Sequence, residues 1–245
     1  MARAVSWVAA LSLCWLAGCA VSPPPAAPVA APVPPVVAPP AARKPPRVGL
    51  VLGGGAARGF AHIGVVQVLE EAGIKPDLVV GTSAGSLVAA IYASGKTGTE
   101  LQQIAIEMEE ATLTDWTLPV FGRGMLRGDA LARYVNGLVG NRTIDKLPLA
   151  LGIVATDLQS GEGILFRRGD TGLAVRASSA VPSLFQPVKI GTREFVDGGL
   201  VAPVPVGYAR QMGAELVIAV DISNQPQSNL ADGAIQVLLQ TFSIM

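Results

Sequence analysis

The pentapeptide Gly81-Thr82-Ser83-Ala84-Gly85 stands between an apolar run, Leu78 to Gly81, and a stretch with helical spacing, Ala84 to Ser94. A strand-to-helix turn of this kind presents its serine as a nucleophile. It is so sharp that only small residues fit beside it, which accounts for Gly81 and Gly85. The helix N-terminus behind Ser83 favours developing negative charge. Taken alone, the same pentapeptide can also be tight packing at a turn, so a functional reading needs a base and an oxyanion site.

A serine hydroxyl is a poor nucleophile until a positioned base removes its proton. The chain has one histidine, His62, and it precedes Ser83. The Ser-acid-His order of the α/β-hydrolases is therefore excluded. Ile63, Val65 and Val66 beside His62 point to packing against a sheet, with a site role as the alternative. A carboxylate must then serve, and the candidates after Ser83 include Asp115, Asp129, Asp145, Asp157, Asp170, Asp197 and Asp221. Asp197 stands out because it ends the apolar pair Phe195-Val196 and precedes Gly198-Gly199, where another segment can approach closely. An ordinary Asp-Gly turn is the competing reading.

A tetrahedral intermediate requires backbone N–H groups converging on one oxygen, and a glycine-rich turn entering a helix supplies them. Gly54-Gly55-Ala56-Ala57-Arg58-Gly59 meets that requirement. A dinucleotide fingerprint would need glycine at Arg58 or at Ala56, depending on register, so neither register is intact. Gly95-Lys96-Thr97 resembles the end of a P-loop, but the loop's first glycine would fall on Ala90, inside the second helical stretch.

The elements around these residues alternate. Val48 to Leu52 reads as a buried strand, Ala56 to Ala72 as a helix ended by Gly73, Leu78 to Gly81 as a strand, and Ala84 to Ser94 as a helix stopped by Gly95. This order implies parallel pairing with right-handed crossovers. Helices are expected near 99–110 and 129–139, the second capped by Asp129. Further strands are expected at Leu149 to Thr156, Gly163 to Arg167, Val188 to Val196 and Leu216 to Ile222. The start of another helix just before Met245 suggests a C-terminus that continues further.

In order and spacing, Gly-Gly-Gly-Ala-Ala-Arg-Gly, His62-Ile63-Gly64, Gly-Thr-Ser-Ala-Gly, Arg176-Ala177-Ser178 with Val181-Pro182, and Asp197-Gly198-Gly199 resemble the patatin-like phospholipases over about 48–222. The resemblance implies an α/β fold, a three-layer α/β/α sandwich with a mostly parallel central sheet. It implies Ser83 as nucleophile and Asp197 as general base, with an oxyanion hole from Gly54, Gly55 and Ala56 that Arg58 shapes, or where Arg58 meets substrate phosphate. It implies no metal and no cofactor, and fatty acyl esters of phospholipids or lysophospholipids as substrate. Trp116 to Phe121 and Val181 to Phe185 are candidate acyl-site stretches, although such apolar runs are more often plain core. Two residues depart from the family pattern: Ala56, where many members have glycine, and Ala202, where asparagine is frequent. The alternatives are a non-catalytic lipid-binding envelope protein of the same fold, or a broad-specificity esterase or thioesterase.

The 245 residues suffice for one sizeable domain, and a formal net charge of zero supplies no basic stripe for nucleic acid. Both cysteines, Cys14 and Cys19, lie near the start, which leaves the domain without a thiol nucleophile, a disulfide or a cysteine metal site. Residues 1–18 have the charge, apolar run and flanks of a secretory signal. Leu16-Ala17-Gly18-Cys19 is similar to a bacterial lipobox, with Cys19 as the lipidated residue; a plain signal peptide is the alternative. Residues 19–46 are Pro/Ala/Val-rich and read as an extended tether, leaving 47–245 as the catalytic domain. The expected location is the bacterial cell envelope, lipid-anchored, on the periplasmic face of an outer membrane where one exists. The expected partner is membrane lipid.

Overall fold

The structure, a computed structural model, describes residues 44–108 and 124–223 together with Val237 and Gln240. The expected signal segment, Cys19, most of the tether, Asp115 and the Trp116 to Phe121 stretch lie outside the described residues.

Strand β1 (Val48–Leu52) enters a 3-10 turn (Ala56–Gly59) that continues into helix α1 (Phe60–Glu71). Then come β2 (Leu78–Thr82), α2 (Ala84–Ala93) and α3 (Gly98–Glu107). A capping box starts α3, in which Thr97 accepts from the Glu100 amide and Glu100 accepts from the Thr97 amide. Next are β3 (Gly124–Leu126), α4 (Asp129–Leu138), β4 (Ala150–Asp157), β5 (Gly163–Phe166) and α5 (Thr171–Ser178). The described elements end with β6 (Ser183–Phe185), β7 (Val188–Ile190), β8 (Arg193–Asp197), α6 (Val206–Gln211) and β9 (Leu216–Val220).

The central sheet runs β7-β8-β4-β2-β1-β9, with β5 also paired to β4. Strands β4, β2, β1 and β9 are mutually parallel, whereas β5, β8 and β7 join antiparallel. Side-chain alternation sorts the core onto two faces. Leu50, Leu52, Val79, Leu151 and Ile153 pack with residues of α1 to α5 on one face. Val51, Leu78, Val80 and Val154 pack with Ala209, Met212 and Ala214 on the other. The result is the expected mixed α/β sandwich. Each fully buried Leu or Val contributes roughly 1.5–3 kcal/mol, and Leu50, Leu52, Leu78 and Val79 are wholly inaccessible.

One feature of register positions everything that follows. Val154 of β4 pairs with Thr82 of β2 and also with Leu165 of β5. Ala155 pairs with Asp197 of β8 and also with Ile164 of β5. A strand residue has two edges, so β2 and β8 share one edge of β4 and meet there end to end. The C-terminal ends of β2 and β8 thus face each other across one residue step of β4.

Several expectations shift in detail. The stretch 56–72 begins as a 3-10 turn before becoming α-helical. Val188 to Val196 is two strands, because Gly191 at φ 62° makes a hairpin turn. Asp129 does not cap α4. Gly128, in the left-handed region at φ 80°, holds the N-cap position, and the Asp129 carboxylate instead pairs with Arg176 at 2.7 Å.

Candidate active site

Ser83 occupies the turn between β2 and α2 with φ 52° and ψ −124°. A non-glycine residue in that region is strained by on the order of 1–3 kcal/mol, and it persists only where its surroundings fix it. The surroundings here are specific. The Ser83 amide donates to Ser178 Oγ at 2.8 Å, and Ser178 Oγ donates to the Val154 carbonyl at 2.5 Å. The Ser83 carbonyl accepts from the Ser86 amide and from Ser86 Oγ. Gly81 and Gly85 are required by contact: a Cβ on Gly81 would lie 2.4 Å from the Gly85 carbonyl oxygen, and one on Gly85 would lie 2.1 Å from that of Leu52.

Asp197, at the end of β8, lies across this gap with 2 % of its surface exposed. Ser83 Oγ donates to Asp197 Oδ2 at 2.7 Å, and the Gly199 amide donates to Oδ1 at 2.6 Å. Thr156 Oγ1 donates to the Asp197 carbonyl, and Thr82 Oγ1 donates to that of Ala202. The Ala202 segment is thus held through its main chain, whatever side chain stands there. Gly198 permits the close approach, since a Cβ would sit 2.1 Å from the Val154 carbonyl oxygen. Burial pushes the Asp197 carboxyl up to about 6, while the hydrogen bonds from Ser83 and Gly199 pull the other way.

The glycine-rich loop lies beside the serine. Gly54 Cα packs against it, as a Cβ there would lie 3.4 Å from Ser83 Cβ. The Gly54 amide, expected as an oxyanion donor, instead donates to the Pro203 carbonyl at 2.9 Å. The Gly55 and Ala56 amides carry no such bond among the described residues. Ala56 sits at φ 51°, a conformation free to glycine and costing alanine about 1–2 kcal/mol. Arg58 ties the loop down, its Nε donating to the Ile222 carbonyl at 2.7 Å. His62 is wholly buried and reaches the Gly53 carbonyl through Nε2 at 2.8 Å, far from any role as base for Ser83 in this hydrogen-bond network. Thr156 is a site residue that the sequence does not single out, and Ser178 enters there only as part of the Arg176-Ala177-Ser178 resemblance, with no role assigned. A hydroxyl between Ala155 and Asp157, or between Ala177 and Ser179, carries no pattern of its own that marks its role.

An apolar cavity of about 490 Å³ opens where the loop and α2 meet. Ala56, Gly59 and Ala84 line it next to Ser83, and Leu87, Ile104 and Tyr134 line it further away. Val181 to Phe185 does not line it; its residues 183–185 form β6, paired with β3. Among the described residues no group of three or more His, Cys, Asp or Glu side chains is arranged to hold a metal ion.

An α/β sandwich with a serine on a strained strand-to-helix turn and a buried carboxylate in hydrogen-bond contact is therefore the framework. The patatin-like phospholipase family model matches residues 50–210, and the chain belongs to that family. An uncharacterised NTE family protein of Mycobacterium tuberculosis is 36% identical over 179 residues, covering 73% of this chain and 49% of its own length. The mouse patatin-like phospholipase domain-containing protein 6 is 36% identical over 193 residues, covering 75% of this chain and 14% of its own. The chain spans half or less of the length of these relatives. Among solved structures, VipD from Legionella pneumophila is similar in fold, with a TM-score of 0.52 and 19% identity over 63% of this chain and 46% of that one.

Proposed function

We propose that the chain is a serine acyl hydrolase acting on fatty acyl esters of phospholipids or lysophospholipids through Ser83 and Asp197. The observation that carries this reading is the 2.7 Å contact between Ser83 Oγ and Asp197 Oδ2, made with no imidazole in between. Asp197 takes the hydroxyl proton as Ser83 Oγ bonds to the ester carbonyl carbon, and the carbonyl π pair moves onto oxygen. The Gly55 and Ala56 amides receive that oxyanion, with each well-placed donor worth about 3 kcal/mol. Collapse of the intermediate expels the alcohol, which takes the proton from Asp197. Water then repeats the sequence on the acyl-enzyme and releases the fatty acid.

The cavity beside Ser83 supports a fatty acyl group as the part of the substrate that is bound, because its lining is almost wholly apolar and it begins one residue from the nucleophile. We propose further that Cys19 is lipidated and holds the domain at the cell envelope, on the periplasmic side of an outer membrane where one exists, beside membrane lipid.

The test is covalent labelling by a fluorophosphonate, with mass spectrometry of products from membrane phospholipids. Labelling at Ser83 and release of free fatty acid are expected, both lost in Ser83→Ala and both unchanged by a metal chelator. Hydrolysis that survives Ser83→Ala, or that requires added calcium, overturns the proposal.

A further inference from the structure

We infer that His62 is a positioning residue for the oxyanion loop, its Nε2–H gripping the Gly53 carbonyl so that the Gly55 and Ala56 amides point at the reacting carbonyl. This rests on the Ser83–Asp197 reading above and extends it to a residue that never touches the substrate.

His62 is costly where it is. Its side chain is fully buried in the first turn of α1, and its Nδ1 has no hydrogen-bond partner among the described residues. A buried polar atom left unpaired destabilises a fold, so packing alone would favour an aliphatic or phenyl side chain at this place. What the imidazole adds is one hydrogen bond, to the Gly53 carbonyl at 2.8 Å. A carbonyl only accepts, so the proton lies on Nε2 and the lone pair on Nδ1. Burial also holds the imidazole below its ordinary pKa, which agrees with a neutral ring.

The partner of that bond matters more than the bond itself. Gly53, Gly54 and Gly55 are consecutive, and glycine backbone has little conformational preference of its own. Their orientation has to come from the hydrogen bonds made to them. The peptide linking Gly53 to Gly54 is held at both ends: His62 Nε2 on its oxygen, and the Pro203 carbonyl on its N–H at 2.9 Å. The Gly53 amide is held as well, by the Val220 carbonyl at 3.0 Å. The peptide linking Gly55 to Ala56 is held in turn by the Arg58 amide, which donates to the Gly55 carbonyl at 3.1 Å, so the Gly55 and Ala56 amides lie on a stretch fixed at both ends. Pro203 follows Asp197 by a few residues, so the same clamp registers the loop against the segment that carries the base. Remove the imidazole, and the glycine peptide is free to rotate about a single remaining anchor.

His62 is the one histidine of the chain, so its ring gives a single unambiguous signal. Nitrogen NMR of the protein labelled at histidine is expected to show a neutral Nε2–H tautomer whose proton exchanges slowly. His62→Phe keeps ring size and removes the donor; His62→Gln keeps an N–H donor at similar reach. The phenylalanine variant is expected to lose about 10- to 100-fold in kcat with KM nearly unchanged, as for other small misplacements of catalytic groups. Its fluorophosphonate labelling should slow in parallel, and the glutamine variant should recover most of both. A proton on Nδ1, wild-type kcat in His62→Phe, or equal losses in both variants that track the folded fraction, would each overturn the inference. If the phenylalanine variant does not fold, the tautomer of the wild-type ring and the glutamine kinetics still decide. Loss of activity in Ser83→Ala alongside an unimpaired His62→Phe sinks this inference and leaves the dyad standing.

Discussion

Two aspartates on the same pair of strands meet opposite fates. Asp197 pairs in register with Ala155, and Asp157 sits two residues along the same strand, opposite Phe195. Both are buried. Asp157 receives the amides of Gln159 and Ser160 on Oδ1 and the Arg193 guanidinium on Oδ2, and this holds it down to about 2, led by the Ser160 amide. Among the described residues Asp197 has one backbone amide, the Ser83 hydroxyl and no cation, and burial pushes its carboxyl up to about 6. A carboxylate saturated with donors is a staple, because its charge is already stabilised and it has no affinity left for a proton. A carboxylate buried with few donors is a base, because taking a proton relieves it.

The largest expected effect breaks the comparison at Asp197. Asp197→Asn keeps the shape and the acceptor for the Gly199 amide but cannot take a proton. Turnover is expected to fall on the order of 10⁴-fold, by analogy with removal of an aspartate from other serine hydrolase sites. Steady-state hydrolysis of a phospholipid, with active sites counted by fluorophosphonate, checks it; undiminished turnover would end the dyad reading. The wild-type profile sharpens the same point. The base must be ionised to act, so kcat/KM should rise through a pH of about 6 and level off above it.

Stability should run the other way. Asp197 has a higher pKa folded than unfolded, so between about 4 and 6 the folded state binds more protons and stability falls as pH rises, then flattens. From 3.8 to about 6, at about 1.4 kcal/mol per pKa step, the cost of keeping this group ionised is about 3 kcal/mol. Asp197→Asn removes that cost, so it should melt higher than wild type at pH 8, with the gain shrinking toward pH 4. A lower melting temperature at pH 8 would show that the charge is stabilised by something beyond the Ser83 and Gly199 donors.

The difference between these two residues was half legible in the amino-acid order. Asp197 was found because glycines follow it, and glycines mark close approach, which the Gly198 contact with the Val154 carbonyl realises. The environment of Asp157 was not legible, since Arg193 lies 36 positions away and only the β4–β8 register brings them together. The strands β1, β2 and β9 were legible because apolar runs bounded by glycine or aspartate have few other readings. Helix α5 was not, as Thr171–Ser178 is buried around most of its circumference and shows no polar stripe. Gly54 departs from its expected place as a donor for a related reason: a glycine-rich loop announces available amides, but which of them is spent on Pro203 depends on a segment 149 residues later.

The smallest expected effect tests the staple. In Asp157→Asn the loop amides keep one acceptor oxygen, while Arg193, about half exposed, loses its anionic partner. Asp157 is more acidic folded than unfolded, so its stabilisation is present above a pH of about 4 and is lost as pH falls toward 2. The variant should melt roughly 2–4 °C lower at pH 7, with the difference vanishing near pH 2, as suits a pair with one solvated member. Its kcat should stay within about twofold of wild type, because Arg193 also stacks on Phe195 at 5.4 Å and keeps the strand in place without the carboxylate. A large loss of kcat in Asp157→Asn would mean that the two carboxylates act as one unit across β4 and β8, and the division into base and staple would have to be abandoned.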